Sequence, residues 1–374
     1  MKVLSVFGTR PEAIKMCPLV LSLERTRGIQ SEVCLTGQHR ELLHSVTELF
    51  GVRADYDLSL MRPDQSLSDI FCAVLSGVGE VLARSVPDLV LVHGDTSTSC
   101  AAALAAFYRH IPVGHVEAGL RSHDRYSPFP EEMNRRLTGV LASYHFAPTA
   151  DSKANLLAEG ITQNVFVTGN TVIDALSATV RPDHVFSCAA LRSGELFSHR
   201  CVLLTAHRRE NIPYALAAVC RAVRRLTETF GDIRVICPLH PNPAVRRVVL
   251  PLLRDCPGVI LTEPLDMPDM HNLMARCTLV LTDSGGLQEE APALGVPVLV
   301  LRSETERPEG LRAGCVRLAG TEEEGIFRSA SLLLSNETER LRIARAVSPY
   351  GDGHASERIV RAILQSFPSA EAAS

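Results

Sequence analysis

Two α/β domains, each built on a parallel, doubly wound sheet, are the fold this sequence predicts. Three observations predict it. Apolar runs of strand length recur between helical patterns, as they must when helices cover both faces of a parallel sheet. The alternation lapses between Asp174 and His199, around Arg181-Pro182-Asp183, and starts again at Cys201. The chain has 374 residues, enough for two domains of ordinary size.

Taken in order, the first domain's strands are expected at Val3–Phe7, Ser31–Leu35, Leu89–Val92, Val113–Val116, His145–Ala147 and Val165–Thr168. The second domain's follow at Cys201–Leu204, Val235–Cys237, Val259–Leu261, Leu279–Leu281 and Val298–Leu301. The boundaries read 1–175 and 176–355. A last stretch, 356–374, holds an amphipathic helix from Ser356 to Phe367 that packs back on the first domain, and a frayed tail from Ser369. Two such domains are expected to face each other across a cleft. There is no tandem repeat and no low-complexity tract.

Composition narrows the function. The hydrophobic fraction is 46% and the charged fraction 21%, an ordinary globular balance. A formal net charge of −4 argues against a general polyanion binder, so no nucleic-acid partner is expected. No stretch of 18 uninterrupted apolar residues is present, so no membrane span is expected. The opening Met1–Phe7 runs straight into Gly8-Thr9-Arg10-Pro11 and reads as a strand, not a signal peptide. The 11 cysteines are scattered singly, several in apolar runs such as those of Cys34, Cys201 and Cys237. They read as buried, reduced thiols of a cytoplasmic protein. Neither a metal nor a cofactor is expected.

Open α/β sheets bind ligands beyond the carboxyl ends of their strands, and the polar motifs fall there. Thr282-Asp283-Ser284-Gly285-Gly286 follows an apolar run and opens a helix. Free N–H groups at such a terminus favour an anion, and glycines let a phosphate approach the backbone. Glu290, further along, suits ribose hydroxyls. Gly8-Thr9-Arg10-Pro11-Glu12-Ala13-Ile14-Lys15 follows the first strand and places two cations near a helix start, where an anionic partner would be welcome. Asp95, in His93-Gly94-Asp95-Thr96, reads first as a helix N-cap and second as a general acid or base. Glu117, before Ala118-Gly119, has no capping role. Glu131 opens a helix in Pro128-Phe129-Pro130-Glu131. Three acids so placed suggest proton transfer. His207, beside Arg208 and Arg209, and His240 each follow a strand of the second domain, and Arg307 lies where a guanidinium could reach phosphates.

Together these blocks resemble the non-hydrolysing UDP-N-acetylglucosamine 2-epimerase family. The carrying stretches are GTRPEAIKM (from Gly8), HGDTSTS (from His93), GHVEAGLRS (from Gly114), SPFPEEMNRRL (from Ser127), VTGNTVIDAL (from Val167), TAHRREN (from Thr205) and TDSGGLQEEAPALGVPVLVLR (Thr282 to Arg302). The resemblance implies two Rossmann-like domains in the GT-B-like arrangement of a large glycosyltransferase class, a homodimer, and interconversion of UDP-GlcNAc with UDP-ManNAc. It implies acid–base work by Asp95, Glu117, Glu131 and His207. It implies UDP binding by Arg10, Lys15, Met270, Ser284, Gly285, Gly286, Glu290 and Arg307. It also implies a regulatory substrate site at Gln38, His39, Glu41, Arg208 and His240. Two departures stand out. Leu265, Met267 and Met270 occupy a uracil-lining segment where relatives carry aromatic residues. Glu41 and Asp64 are acidic where some relatives have neutral or basic residues, so weaker dependence on a UDP-GlcNAc activator is expected. The rival readings are a hydrolysing epimerase, a glycosyltransferase of the same two-domain fold and a non-catalytic nucleotide-sugar sensor.

Overall fold

The computed structural model describes residues 1–37, 40–60, 62, 64–208, 213–305 and 307–367, with the backbone alone at 40–42. Its contacts divide the chain into two compact units, Met1–Ala178 with Tyr350–Ser374, and Thr179–Pro349.

The first unit is a seven-stranded sheet in the order β3-β2-β1-β4-β5-β6-β7. Its strands are β1 Lys2–Phe7, β2 Gln30–Leu35, β3 Tyr56–Asp57, β4 Leu89–His93, β5 Val113–Val116, β6 Tyr144–Ala147 and β7 Val165–Val167. Every pairing is parallel. The central strands are buried on both faces, which is why they read as continuous apolar runs. β1 pairs with both β2 and β4, so the chain's winding reverses there. Such a switch point opens a crevice beyond the strand ends. The last helix, Ala355–Ser366, lays Ile359, Val360, Ala362 and Ile363 on this unit's core.

The second unit is a six-stranded parallel sheet in the order β10-β9-β8-β11-β12-β13. Its strands are β8 Arg200–Thr205, β9 Ile233–Pro238, β10 Val259–Thr262, β11 Leu279–Thr282, β12 Val298–Val300 and β13 Val316–Leu318. Here the switch point lies between β8 and β11. Two strands were not expected from the sequence. β3 has only two residues, and β13 alternates Val316-Arg317-Leu318 with only Val316 buried. Both are edge strands, and an edge needs no unbroken apolar run.

Among the described residues, no helix is long and apolar enough to cross a membrane, and no cluster of three His, Cys, Asp or Glu could hold a metal ion. Nine of the 11 cysteines are buried and all are free; Cys72 is exposed and Cys188 half-buried.

Candidate active site

In the first unit the loops after β1, β4 and β5 and the helix Glu131–Leu141 line one pocket of about 430 Å³. Glu12 ties two of these loops together. Its buried carboxylate accepts the N–H groups of Gly8 at 3.0 Å and Thr9 at 2.7 Å, and the hydroxyls of Thr96 at 2.6 Å and Ser99 at 3.1 Å. The Thr9 hydroxyl returns the favour by accepting from Glu12 N–H, which completes a capping box on the helix Arg10–Glu24. Thr96 caps the helix Ser97–Phe107 by accepting from Ser99 N–H at 3.1 Å. The expected cap, Asp95, therefore does not cap. The hydroxyl one residue later reaches the helix N–H, and the Asp95 carboxylate instead pairs with Arg135.

Glu117 sits just beyond β5 with φ +61°, a left-handed backbone conformation that non-glycine residues seldom adopt. Its carboxylate is buried in a polar cage. Lys15 Nζ donates to Oε2, Asn170 Nδ2 donates to Oε2 at 3.1 Å, and His93 Nε2 stands 3.7 Å from the same oxygen. Arg135 NH1 lies 3.6 Å from Oε1 and donates to the Glu117 backbone carbonyl at 2.8 Å. Burial alone would raise the Glu117 carboxyl, but Lys15, then His93 and Arg135, outweigh it and hold it well below the usual range. His93 is pushed down to about 4, chiefly by burial, so it is neutral at pH 7. Glu131 differs from its neighbours: its Oε2 is buried with no hydrogen-bond partner. An orphaned buried oxygen at a pocket wall is an atom that a ligand would satisfy.

In the second unit the residues after β8 and β11 line a pocket of about 310 Å³, with His207, His240, Leu265, Met270, Ser284, Gly286 and Glu290 on its walls. Asp283 organises the loops. It is fully buried and accepts the backbone N–H groups of His207 at 2.8 Å and Arg208 at 2.9 Å. His207 Nδ1 lies 3.5 Å from the same carboxylate, and the ring stacks on His240 at 4.9 Å, 3° from parallel. The helix Gly285–Ala293 starts after Ser284 with no side chain capping it, so its first N–H groups are available to a ligand. A Cβ on Gly285 would stand 3.8 Å from Arg208 NH2 and 4.0 Å from Arg307 NH2. Two guanidinium groups thus converge on this helix start. Arg307 is aimed there by the buried Glu289, which pairs with its Nε. This combination can hold an anion bearing several oxygens.

The family model described as UDP-N-acetylglucosamine 2-epimerase matches residues 21–364. The chain belongs to the UDP-N-acetylglucosamine 2-epimerase family. The UDP-N-acetylglucosamine 2-epimerase of Bacillus subtilis (strain 168) is 50% identical over 365 residues, 97% of this chain and 95% of its own. A crystal structure of UDP-GlcNAc 2-epimerase from Neisseria meningitidis bound to UDP-GlcNAc is 47% identical, with a TM-score of 0.87 over 98% of this chain and 100% of that one. The fold also matches a glycosyltransferase from Rickettsia africae, with a TM-score of 0.65 at 10% identity over 99% of each chain, a likeness of fold alone.

For this member of the epimerase family, the structure brings Asp95, Glu117, Glu131 and Lys15 to one pocket of the first unit. His207 lies in the second unit's pocket with Met270, Ser284, Gly286 and Glu290. Arg10 opens the helix Arg10–Glu24 and is half-buried. Met267 is buried in the core, so only Leu265 and Met270 of the three departures face the pocket. Of the regulatory positions, His240 lines the second unit's pocket, and the Arg208 guanidinium stands beside Gly285 at the helix start. Gln38, His39 and the side chain of Glu41 lie outside the described residues, as do Arg209, Glu210 and Asn211. Asp64 is exposed. Sequence reasoning missed Glu12, His93, Arg135, Asn170, Asp283 and Glu289. For Arg135 a signal existed: it stands four residues after Glu131, on the same helix face.

Proposed function

We propose that this protein is a non-hydrolysing UDP-N-acetylglucosamine 2-epimerase that interconverts UDP-GlcNAc and UDP-ManNAc without a cofactor. The observation that carries the reading is the cluster of Asp95, Glu117 and Glu131 with Lys15 around one pocket of a family member. The C2 proton of the sugar is not acidic while UDP is attached. As the C1–O bond breaks, positive charge develops at C1 and a carboxylate can take the C2 proton, giving 2-acetamidoglucal and UDP. Return of a proton to the opposite face of C2, with UDP re-adding at C1, gives the epimer. The first unit's acids perform the two transfers. In the second unit, the start of the helix Gly285–Ala293 with Arg307 holds the diphosphate, Glu290 binds the ribose, and His207, oriented by Asp283, assists the leaving phosphate. We assign the working form as a cytoplasmic homodimer, as the resemblance implies; free cysteines suit a reducing compartment.

The test is NMR of UDP-GlcNAc with the protein in D2O. Deuterium at C2 with UDP retained is the expected result. Free ManNAc would indicate a hydrolase, and no change without an added acceptor would indicate a transferase or sensor. Glu117→Gln should lower turnover by ~10²-fold or more. Near-normal turnover would remove Glu117 from the chemistry.

A further inference from the structure

Arg135 joins two of the acids at the first unit's pocket, and nothing in the proposed reaction gives it a task. It projects from the helix Glu131–Leu141, one turn after Glu131, and is buried. One nitrogen of its fork donates to the Asp95 carboxylate beyond β4; the other donates to the Glu117 carbonyl beyond β5 at 2.8 Å and lies 3.6 Å from Glu117 Oε1. We propose that Arg135 is a positioning residue that fixes Asp95 and Glu117 in one mutual geometry, by clamping the former's carboxylate and the latter's left-handed backbone with a single planar group. The inference rests on the proposed function, which places both acids among those that perform the two proton transfers.

The chemistry explains why an arginine is needed. Proton removal and return happen on opposite faces of one carbon, so the acids must keep a fixed separation while the intermediate waits. A guanidinium donates along fixed, divergent directions in one plane, whereas an ammonium is a point charge on a flexible stem. The carbonyl bond also secures Glu117 at φ +61°.

Arg135→Lys keeps the charge and loses the fork; Arg135→Met loses both. A displaced catalytic group costs about 10²-fold, so kcat should fall by about that factor in Arg135→Lys while KM changes little. Lys15, His93, Asp95 and Glu131 also face Glu117 or its pocket and stay in place. The acid limb of kcat/KM should therefore move to higher pH in Arg135→Met, where a cation that lowers the Glu117 carboxyl is gone, and much less in Arg135→Lys. Thermal unfolding and UDP affinity, followed in parallel, report the folded fraction. Wild-type kcat in Arg135→Lys, an unmoved acid limb in Arg135→Met, or losses that only follow the folded fraction would overturn the role. A readout free of turnover separates this from the proposed function. With 13C-labelled glutamate carboxyls, the Glu117 signal should titrate at higher pH in Arg135→Met than in wild type; an unmoved signal rejects the role of Arg135. Absence of C2 exchange in wild type rejects the epimerase reading instead.

Discussion

Gly286 makes room for Glu290. A Cβ at Gly286 would stand 3.1 Å from Glu290 Oε1, tighter than ordinary contact, so the carboxylate would have to shift. From behind, His271 Nε2 lies 3.6 Å from Glu290 Oε2, and Thr179 Oγ1 lies 2.7 Å from His271 Nδ1. Gly286→Ala should therefore weaken UDP binding, if Glu290 binds the ribose as proposed, by moving that carboxylate without removing a charge. Arg307→Ala should weaken it by about 1.5–3 kcal/mol, the range for a charge-assisted hydrogen bond. Isothermal titration with UDP checks both, and equal affinity in Arg307→Ala would reject its phosphate role. At this scale, legibility depended on sequence position. Ser284–Gly286, Asp95 and Glu117 follow strand ends, Glu131 opens a helix and Glu290 lies one turn into another, positions that motif reading singles out as candidates. Glu12, His93 and Arg135 act through contacts made across the fold. Their roles depend on which loops β1, β4 and β5 bring together, and no local pattern states that.

The interior strands were legible as elements because a parallel strand covered on both faces must be apolar throughout. β3 and β13 were not, because at these two sheet edges one strand has only two residues and the other is broken by Arg317. The last helix was legible by its amphipathic period, but its anchor was not. Asp174, buried in the helix Thr171–Thr179, accepts the N–H groups of Ala355 at 3.1 Å and Ser356 at 2.7 Å. It thereby satisfies two orphan donors at the start of the last helix from far along the chain. Asp174→Ala should cost about 1–3 kcal/mol by leaving buried N–H groups unpaired. Ile359→Ala, which empties a fully buried site in the first unit's core, should cost about 2–5 kcal/mol. Urea unfolding measures both. Limited proteolysis near Tyr350 should be faster in each variant, and unchanged cleavage would mean that this helix is held by something else.

At the scale of the molecule, the two units differ in how they should respond to acid. His93, His115 and His145 are all buried in the first unit. Burial, the largest cause in each case, pushes His93 and His145 down to about 4 and His115 well below its ordinary value. The unfolded chain takes up protons at these positions near pH 6.5, whereas the folded unit refuses them until about pH 4. The unfolded state therefore binds more protons across that window, and stability falls as the pH falls through it. At pH 5 the loss reaches up to about 2 kcal/mol for each histidine. Three such losses rival the about 5–15 kcal/mol that holds a typical domain together. Glu12 and Asp174, both raised by burial, offset this only once the pH nears the carboxyl range. In the second unit His240 is lowered as well, but it is exposed at the pocket and exerts a smaller pull, and the one histidine buried there among the described residues, His271, has Glu290 beside it. The paired carboxylates Asp269 and Glu339 are held low and lose their contribution at still lower pH. Between pH 7 and pH 5, amides of β4–β6 should therefore lose far more hydrogen-exchange protection, after correction for intrinsic rates, than those of β8, β9 and β11. Equal losses in the two sheets would mean that the buried histidines are protonated in the folded protein and that burial does not control its acid stability.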